Sequence, residues 1–133
     1  MTPDGLTICS SKYGPKETMD RLVAAVTSRG MAILASIDHA AAAAKVGMEL
    51  RPTEVVLFGN PRAGTPLMQA AQTMGIDLPL KALVWQDEVG KTWLAYNDPT
   101  WLAQRHDVLV GTERSLGAMA DALAAVAKEA TEA

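Results

Sequence analysis

The sequence is poor in cysteine, in aromatic residues and in long apolar runs. Its single cysteine, Cys9, excludes an internal disulfide and any cysteine-rich zinc site. The longest run of small apolar residues, Ala40–Ala44, lies between His39 and Lys45 and is far too short to span a bilayer. The start, Met1–Gly5, has no basic region followed by an apolar run, so we expect no secretory signal. These absences favour a soluble, cytoplasmic protein without a membrane partner.

Positive charge and nucleotide-binding motifs are also lacking. The formal net charge is −3, which gives no electrostatic surface for nucleic acid. The sequence has neither the Gly-Lys-Ser/Thr of a nucleotide P-loop nor the Gly-x-Gly-x-x-Gly of a dinucleotide site. The histidines His39 and His106 stand among scattered carboxylates without ligand spacing, so we expect no metal site. The sequence therefore does not identify a cofactor. Its length of 133 residues predicts one domain, 1–133.

The stretch Leu50–Gln69 organises the chain. Its four consecutive apolar residues, Val55–Phe58, predict a strand buried on both faces. Gly59 ends that strand, and Thr65 followed by Pro66 is typical of an N-cap and the first position of a helix. The stretch therefore predicts a strand, a glycine-containing loop and a helix.

Hydrophobic periodicity and capping residues predict five strands and five helices along the chain. The predicted strands cover 6–10, 31–37, 55–58, 78–86 and 91–96, and the predicted helices begin at 15, 39, 66, 101 and 112. The order is β-α-β-α-β-α-β-β-α-α, with one tight hairpin around Asp87–Gly90. This pattern favours an α+β fold, in which a curved, mostly antiparallel single-layer sheet carries two long helices on one face.

Three segments of the central stretch, Leu50–Thr53, Phe58–Pro61 and Gly64–Gln69, together resemble the signature of an uncharacterised bacterial family, domain of unknown function 302. Flanking pieces agree with this resemblance, and they are Ile37–Ala40, Asp77–Lys81 and Tyr96–Pro99. The resemblance extends from about Leu6 to Ala127. It implies an α+β domain of the TATA-binding-protein-like type that pairs as a homodimer. It implies no reaction, because no catalytic residues are established for the family.

The loop after the central strand is the first candidate site. Asn60, Arg62, Gly64 and Thr65 lie on it, and free backbone donors at a helix start beside a guanidinium favour an anion. The alternative is a rigid strand-to-helix corner that serves only the fold.

Two other strand ends carry polar pairs, Asp38–His39 and Asn97–Asp98. If these ends meet the Asn60 loop, a carboxylate, an imidazole and an amide would converge in one cleft. His39 beside an acid could then act as a base, and Asn97 and Asp98 would contribute to ligand binding. The alternative is that Asp38 and Asp98 cap the helices that follow them.

Tryptophans cluster near the predicted hairpin. Trp85, Trp93 and Trp101 belong to the core, to an apolar pocket or to a dimer face, where aromatic residues are enriched. Sequence alone does not choose among these three locations.

Three functions are compatible with these residues. The first is a non-catalytic domain that binds a small anionic or partly apolar ligand at the Asn60–Thr65 loop. The second is a structural or protein-interaction domain that works as a homodimer. The third is an enzyme in which Asp38 and His39 are the acid-base pair, with the Gly64 and Thr65 amides stabilising negative charge. We rank them in that order and lean against catalysis, because no nucleophile or metal set stands out.

Overall fold

Five strands and five α-helices follow one another in the predicted order along residues 2–132, which this computed structural model describes. The strands are β1 Leu6–Ser10, β2 Ala32–Asp38, β3 Thr53–Gly59, β4 Leu80–Gln86 and β5 Thr92–Asn97. The helices are α1 Pro15–Ser28, α2 His39–Lys45, α3 Pro61–Ala70, α4 Pro99–Arg105 and α5 Glu113–Thr131. A 3-10 helix, Gln72–Ile76, follows α3. Met1 and Ala133, the ends of the predicted domain, lie outside the described residues.

The strands form one sheet in the order β1-β5-β4-β3-β2, and every neighbouring pair is antiparallel. Strands β1 and β2 lie at opposite edges, so α1, which connects them, crosses the face of the sheet. Helix α5 packs along α1 on that face. The predicted α+β fold with two long helices on one side of an antiparallel sheet is therefore confirmed.

One face of the sheet, the core face, packs against the helices. Its buried strand residues are Val56, Phe58, Leu80, Ala82, Val84 and Leu94, and its helical partners include Leu22, Val26, Leu67, Leu116, Leu123 and Val126. These side chains recur at helical spacing on α1 and α5 and at every second position on β3 and β4. Burial of apolar area at this single layer supplies most of the driving force for folding.

The opposite face carries the alternate strand residues, and we call it the open face. On β4 it presents Lys81, Leu83 and Trp85, all partly exposed, together with their cross-strand partners. Helices α1, α3, α4 and α5 place buried side chains in the core, and α2 has no buried residue. The sequence prediction that Val55–Phe58 is buried on both faces is therefore wrong for one copy of the chain, since Val55 and Leu57 are only partly buried.

Helix α3 begins at Pro61, five residues before the predicted first helical position at Pro66. Asn60 is the N-cap, and its Oδ1 accepts a hydrogen bond of 2.9 Å from the backbone N–H of Arg62. Thr65 and Pro66 lie inside the helix. The sequence offers two pairs of a polar residue followed by proline, and the chain uses the pair that directly follows the strand.

Asp87 organises the turn between β4 and β5. Its Oδ1 accepts hydrogen bonds from the backbone N–H groups of Val89 (3.0 Å) and Lys91 (2.9 Å). Its Oδ2 accepts a 2.9 Å bond from the indole N–H of Trp93. These donors, the indole first, lower the pKa of the Asp87 carboxyl because they favour its charged form.

We predict that Asp87 makes the fold sensitive to acid. A carboxylate with a lowered pKa contributes stability above its unfolded pKa, and that stability is lost as the pH falls through the folded pKa. The variant Asp87→Asn should be less stable than the wild type at neutral pH and lose less further stability on acidification. Denaturant titrations from neutral to strongly acidic pH measure how the free energy of unfolding of each protein depends on pH. The same pH dependence in the wild type and in Asp87→Asn would contradict this role.

Candidate functional site

A cavity of about 580 Å³ lies between helices α3 and α5 and one end of the sheet, where β2 and β4 begin and β3 ends. We call it the α3–α5 cavity. Its apolar wall consists of Met31, Leu34, Ala63, Met68, Leu78, Pro79, Leu80, Ala118, Met119 and Ala122. A volume of this size and an apolar lining are typical of small-molecule sites.

Two local backbone features lie in the wall of this cavity. A Cβ atom on Gly64 would lie 3.6 Å from Leu78 Cδ1 and 3.9 Å from Met68 Cε, which are ordinary van der Waals contacts, so the wall has room for a methyl group here. The register of β2 shifts between Ile33 and Ala35. Leu34, the residue at the shift, lines the cavity.

Polar residues from two helices form the rim. Asn60 and Thr65 come from the start of α3, and Arg114 and Ser115 come from the first turn of α5. Arg114 is exposed, and no ion pair or hydrogen bond engages its guanidinium among residues 2–132. Arginine and the positive end of a long helix both favour an anionic group at this position.

The start of α3 differs from the predicted anion loop. The backbone N–H of Arg62 bonds to the Asn60 side chain, and those of Ala63 and Gly64 bond to the Asn60 carbonyl at 2.9 and 3.1 Å. The prediction that the Gly64 amide is a free donor is wrong, because the helix begins earlier. Arg62 is exposed and is absent from the cavity wall.

Asn97 and Asp98 lie at the same end of the sheet as Asn60 but do not line the cavity. Asn97 pairs with Leu6 in the sheet. The Oδ1 of Asp98 accepts a 3.0 Å bond from the N–H of Thr100 at the start of α4. The capping interpretation of Asp98 is therefore confirmed.

Asp38 and His39 lie at the other end of the sheet. Strand β2 ends with Asp38 opposite Glu54, four residues beyond Leu34 on the cavity wall, which places the pair roughly 13 Å from the α3–α5 cavity at ~3.3 Å per residue. Asp38 Oδ1 accepts a 2.9 Å bond from the N–H of Ala41 and caps α2. Neither Asp38 nor His39 lines the α3–α5 cavity, so the expected convergence of this pair with the Asn60 loop is not observed there, and the acid-base role stays a prediction.

A buried imidazole cluster lies elsewhere on the helical side. His106 Nε2 is 2.5 Å from Asp77 Oδ2, and its Nδ1 is 2.8 Å from Thr73 Oγ1. Arg105 Nη1 contacts both carboxylate oxygens of Asp77 at 3.0 and 2.9 Å. The cluster fastens the 3-10 helix to the end of α4. The carboxylate that contacts His106 comes from Asp77, 29 positions away in the sequence.

Metal-binding clusters and membrane-spanning helices are both absent from the described part of the chain. Within residues 2–132, no group of three or more His, Cys, Asp or Glu side chains is arranged to hold a metal ion. Over the same residues, no helix is both long enough and apolar enough to cross a membrane.

Comparison with protein families identifies the group of proteins that share this architecture. The sequence profile described as domain of unknown function DUF302 matches residues 7–129. The chain belongs to the DUF302 family. The crystal structure of an uncharacterised conserved DUF302 protein from Bacillus stearothermophilus superimposes with a TM-score of 0.85. The two are 19% identical, and the match covers 96% of this chain and 99% of the other, which shows a shared fold.

Curated relatives of this DUF302 chain are longer proteins. The fluoride-specific ion channel FluC 1 of Brucella suis is 44% identical over 126 residues, which cover 95% of this chain and 50% of that protein. FluC 2 of Brucella melitensis is likewise 44% identical over 126 residues, with 47% of its length covered. The chain thus spans about half the length of the curated relatives it matches, and the channel name describes those longer proteins.

Proposed function

We propose that this DUF302 chain is a non-catalytic domain that binds a small, partly apolar ligand with one anionic group. The site is the α3–α5 cavity, and the anionic group lies at the rim beside Arg114. The observation that carries the proposal is an apolar cavity of about 580 Å³ with Arg114 at its mouth, whose guanidinium has no partner among residues 2–132. A few polar groups that orient a ligand above an apolar wall are the usual composition of a binding pocket.

The walls suit a flexible hydrocarbon portion. Three methionines, Met31, Met68 and Met119, line the cavity, and their unbranched, polarisable side chains adapt to ligands of varied shape. At ~30 Å³ for each carbon-sized group, a ten-carbon chain needs roughly 300 Å³ and fits with space remaining. Burial of such a chain supplies about 0.8 kcal/mol per methylene before the costs of association.

The rim suits a carboxylate or a similar anion. Arg114 has no competing partner among the described residues, and the neighbouring Glu113 is engaged through a 2.7 Å hydrogen bond from the N–H of Gly111. Thr65 and Ser115 also line the cavity and supply hydroxyl groups that can donate to the ligand. This assignment retains Asn60, Gly64 and Thr65 as site residues and transfers the role of Arg62 to Arg114.

We predict that Arg114→Ala weakens anion binding selectively. Decanoate, decanol and decylammonium share one chain and differ in charge, so calorimetric titration of the three separates charge from apolar contact. The variant should weaken decanoate binding roughly five- to tenfold and leave decanol binding unchanged. Arg62→Ala is the matched control, since Arg62 is also an exposed arginine at a helix start but is absent from the cavity wall. Equal losses in both variants would contradict the assignment.

Filling the cavity provides a second test. Ala118 lines the cavity on α5, whereas Ala124 is exposed on the same helix and does not. Ala118→Phe should abolish the binding of both decanoate and decanol, and Ala124→Phe should leave both unchanged. Decanol binding that survives in Ala118→Phe would place the apolar site elsewhere.

The homodimer and the cytoplasmic location remain predictions.

A second candidate function, a protein-interaction domain, is favoured by the apolar residues of the open face. Both functions are compatible in one molecule, because the cavity and the open face lie on different sides of the sheet.

A further inference from the structure

Strand β2 is an edge strand whose outer side is open. It pairs with β3 alone, at one margin of the sheet, and six of its seven residues, Ala32–Asp38, are exposed. No backbone hydrogen bond from outside the sheet reaches these residues in the described part of the chain. An edge strand of this kind presents unpaired N–H and C=O groups on which another extended chain can pair.

The opposite edge strand, β1, is covered at one end. Directly after β1, the backbone N–H of Lys12 donates a 2.9 Å hydrogen bond to the carbonyl oxygen of Thr131 at the end of α5. The Nζ of Lys12 also donates to the carbonyl oxygen of Glu132 (3.2 Å). Strand β2 has no such cover, and it contains neither lysine nor proline, the residues that commonly block strand addition at a sheet edge.

The start of β2 lies at the α3–α5 cavity. Met31, which precedes the strand, and Leu34, which belongs to it, both line the cavity. Leu34 lies at the register shift between Ile33 and Ala35 and is 59% exposed. A bulge of this kind redirects a side chain beside a site. The open edge of β2 therefore leads directly to the apolar cavity.

The direction of β2 decides which end of an added peptide meets the cavity. The strand begins at Ala32, opposite the cavity residue Gly59, and runs away from the cavity to Asp38. A peptide that continues the antiparallel pattern of the sheet runs the other way and ends beside Ala32. Its free carboxylate then lies near the cavity mouth, where Arg114 has no partner among residues 2–132. A parallel peptide would bring a positive amine to the same arginine, which charge repulsion disfavours.

The cavity has room for the apolar side chains at the end of such a peptide. Alternate residues of a strand point to the same side, so the last and the third-last side chains both face one side of the sheet. At ~30 Å³ for each carbon-sized group, two leucine side chains need roughly 240 Å³. The cavity of about 580 Å³ accommodates both.

We propose that the ligand of this site is the C-terminus of an extended polypeptide, which adds to β2 as a further antiparallel strand and places its last apolar side chain in the α3–α5 cavity. Main-chain hydrogen bonds to β2 supply affinity, and the cavity together with Arg114 selects an apolar residue with a free carboxylate. This inference rests on the proposed function, because the peptide uses the same cavity and the same arginine as decanoate.

Calorimetric titration with synthetic hexapeptides tests the role of the carboxylate. The parent peptide is Thr-Val-Thr-Val-Thr-Leu with an acetylated N-terminus and a free C-terminus. Its C-terminal amide should bind the wild type roughly tenfold more weakly. Arg114→Ala should reduce this difference to about twofold or less, whereas the control Arg62→Ala should retain it. An amide that binds the wild type as tightly as the parent would overturn the inference.

Methylation of the peptide nitrogens tests the strand pairing without a change in the protein. In an antiparallel pair, only every second residue points its N–H at the neighbouring strand. One peptide carries methyl groups on its second and fourth nitrogens, and the other carries them on its third and fifth. One of the two should bind at least about tenfold more weakly than the parent, and the other should match it. Equal affinities for the two methylated peptides would overturn the inference.

Decanoate separates this inference from the proposed function. Decanoate should displace the parent peptide, because both ligands occupy the same cavity, and simultaneous binding of the two would overturn the inference. Decanoate binding through Arg114 without any binding of the peptide would overturn the inference and leave the proposed function intact. Failure of both ligands to bind would overturn both.

Discussion

Replacement of Gly5 by alanine should lower the free energy of unfolding by about 2–5 kcal/mol. Gly5 has φ +76, and a Cβ there would overlap the ring of Trp101, whose Cε3 would lie only 2.6 Å away. Its carbonyl accepts a 2.7 Å hydrogen bond from the N–H of Asp98, so the backbone is fixed beside the start of α4. In the variant, alanine must adopt the left-handed backbone conformation, and the indole of Trp101 must move away from the new Cβ atom. Denaturant unfolding measures the loss.

Two further variants separate these causes. Gly30 has φ +79, and no atom lies within 4 Å of the position that a Cβ would occupy, so Gly30→Ala reports the conformational cost alone, about 1–2 kcal/mol. Trp101→Ala removes the ring, and Gly5→Ala should cost less in that background than in the wild type. If Gly5→Ala costs no more than Gly30→Ala, the close approach of Trp101 is contradicted.

Truncation of Phe58 to alanine should cost about 3–5 kcal/mol of unfolding free energy. Phe58 is the chain's only phenylalanine, is fully buried, and packs on the core face near the end of β3, between Ile33 and Leu80 of the neighbouring strands. Its removal leaves a cavity beneath the helices, and a well-packed core closes such a cavity only in part.

The neighbouring residue provides the matched comparison. Leu57 lies on the same strand but on the open face, where it is partly exposed. In a dilute monomer, Leu57→Ala should cost less than half as much as Phe58→Ala, because less apolar surface returns to water. Equal costs in dilute solution would contradict the division of β3 into a core face and an open face.

The sequence predicts the order of elements because local signals are strong at most boundaries. Pro15 starts α1 as expected, and Asp38 and Asp98 cap the helices that follow them. The predicted start of α3 is wrong because Asn60 and Thr65 both precede proline and both can cap a helix. Asparagine is the stronger of the two caps, and the Asn60 side chain accepts the capping hydrogen bond.

The candidate site is predictable only in part. Asn60, Gly64 and Thr65 line the cavity, as expected for a site that directly follows β3. Sequence reasoning misses Arg114 because α5 is distant in sequence, and its arrival beside α3 depends on how the helices pack. The expected position of Asp38 and His39 beside the Asn60 loop also differs from the structure, because antiparallel pairing puts the end of β2 opposite the start of β3.

The most direct test of the proposed function is a crystal structure of this protein grown with decanoate. We expect a chain of density in the α3–α5 cavity among Met31, Met68 and Met119, with the carboxylate beside Arg114. An empty cavity at saturating decanoate, or decanoate bound only outside it, would contradict the proposed function and leave the open face as the functional surface.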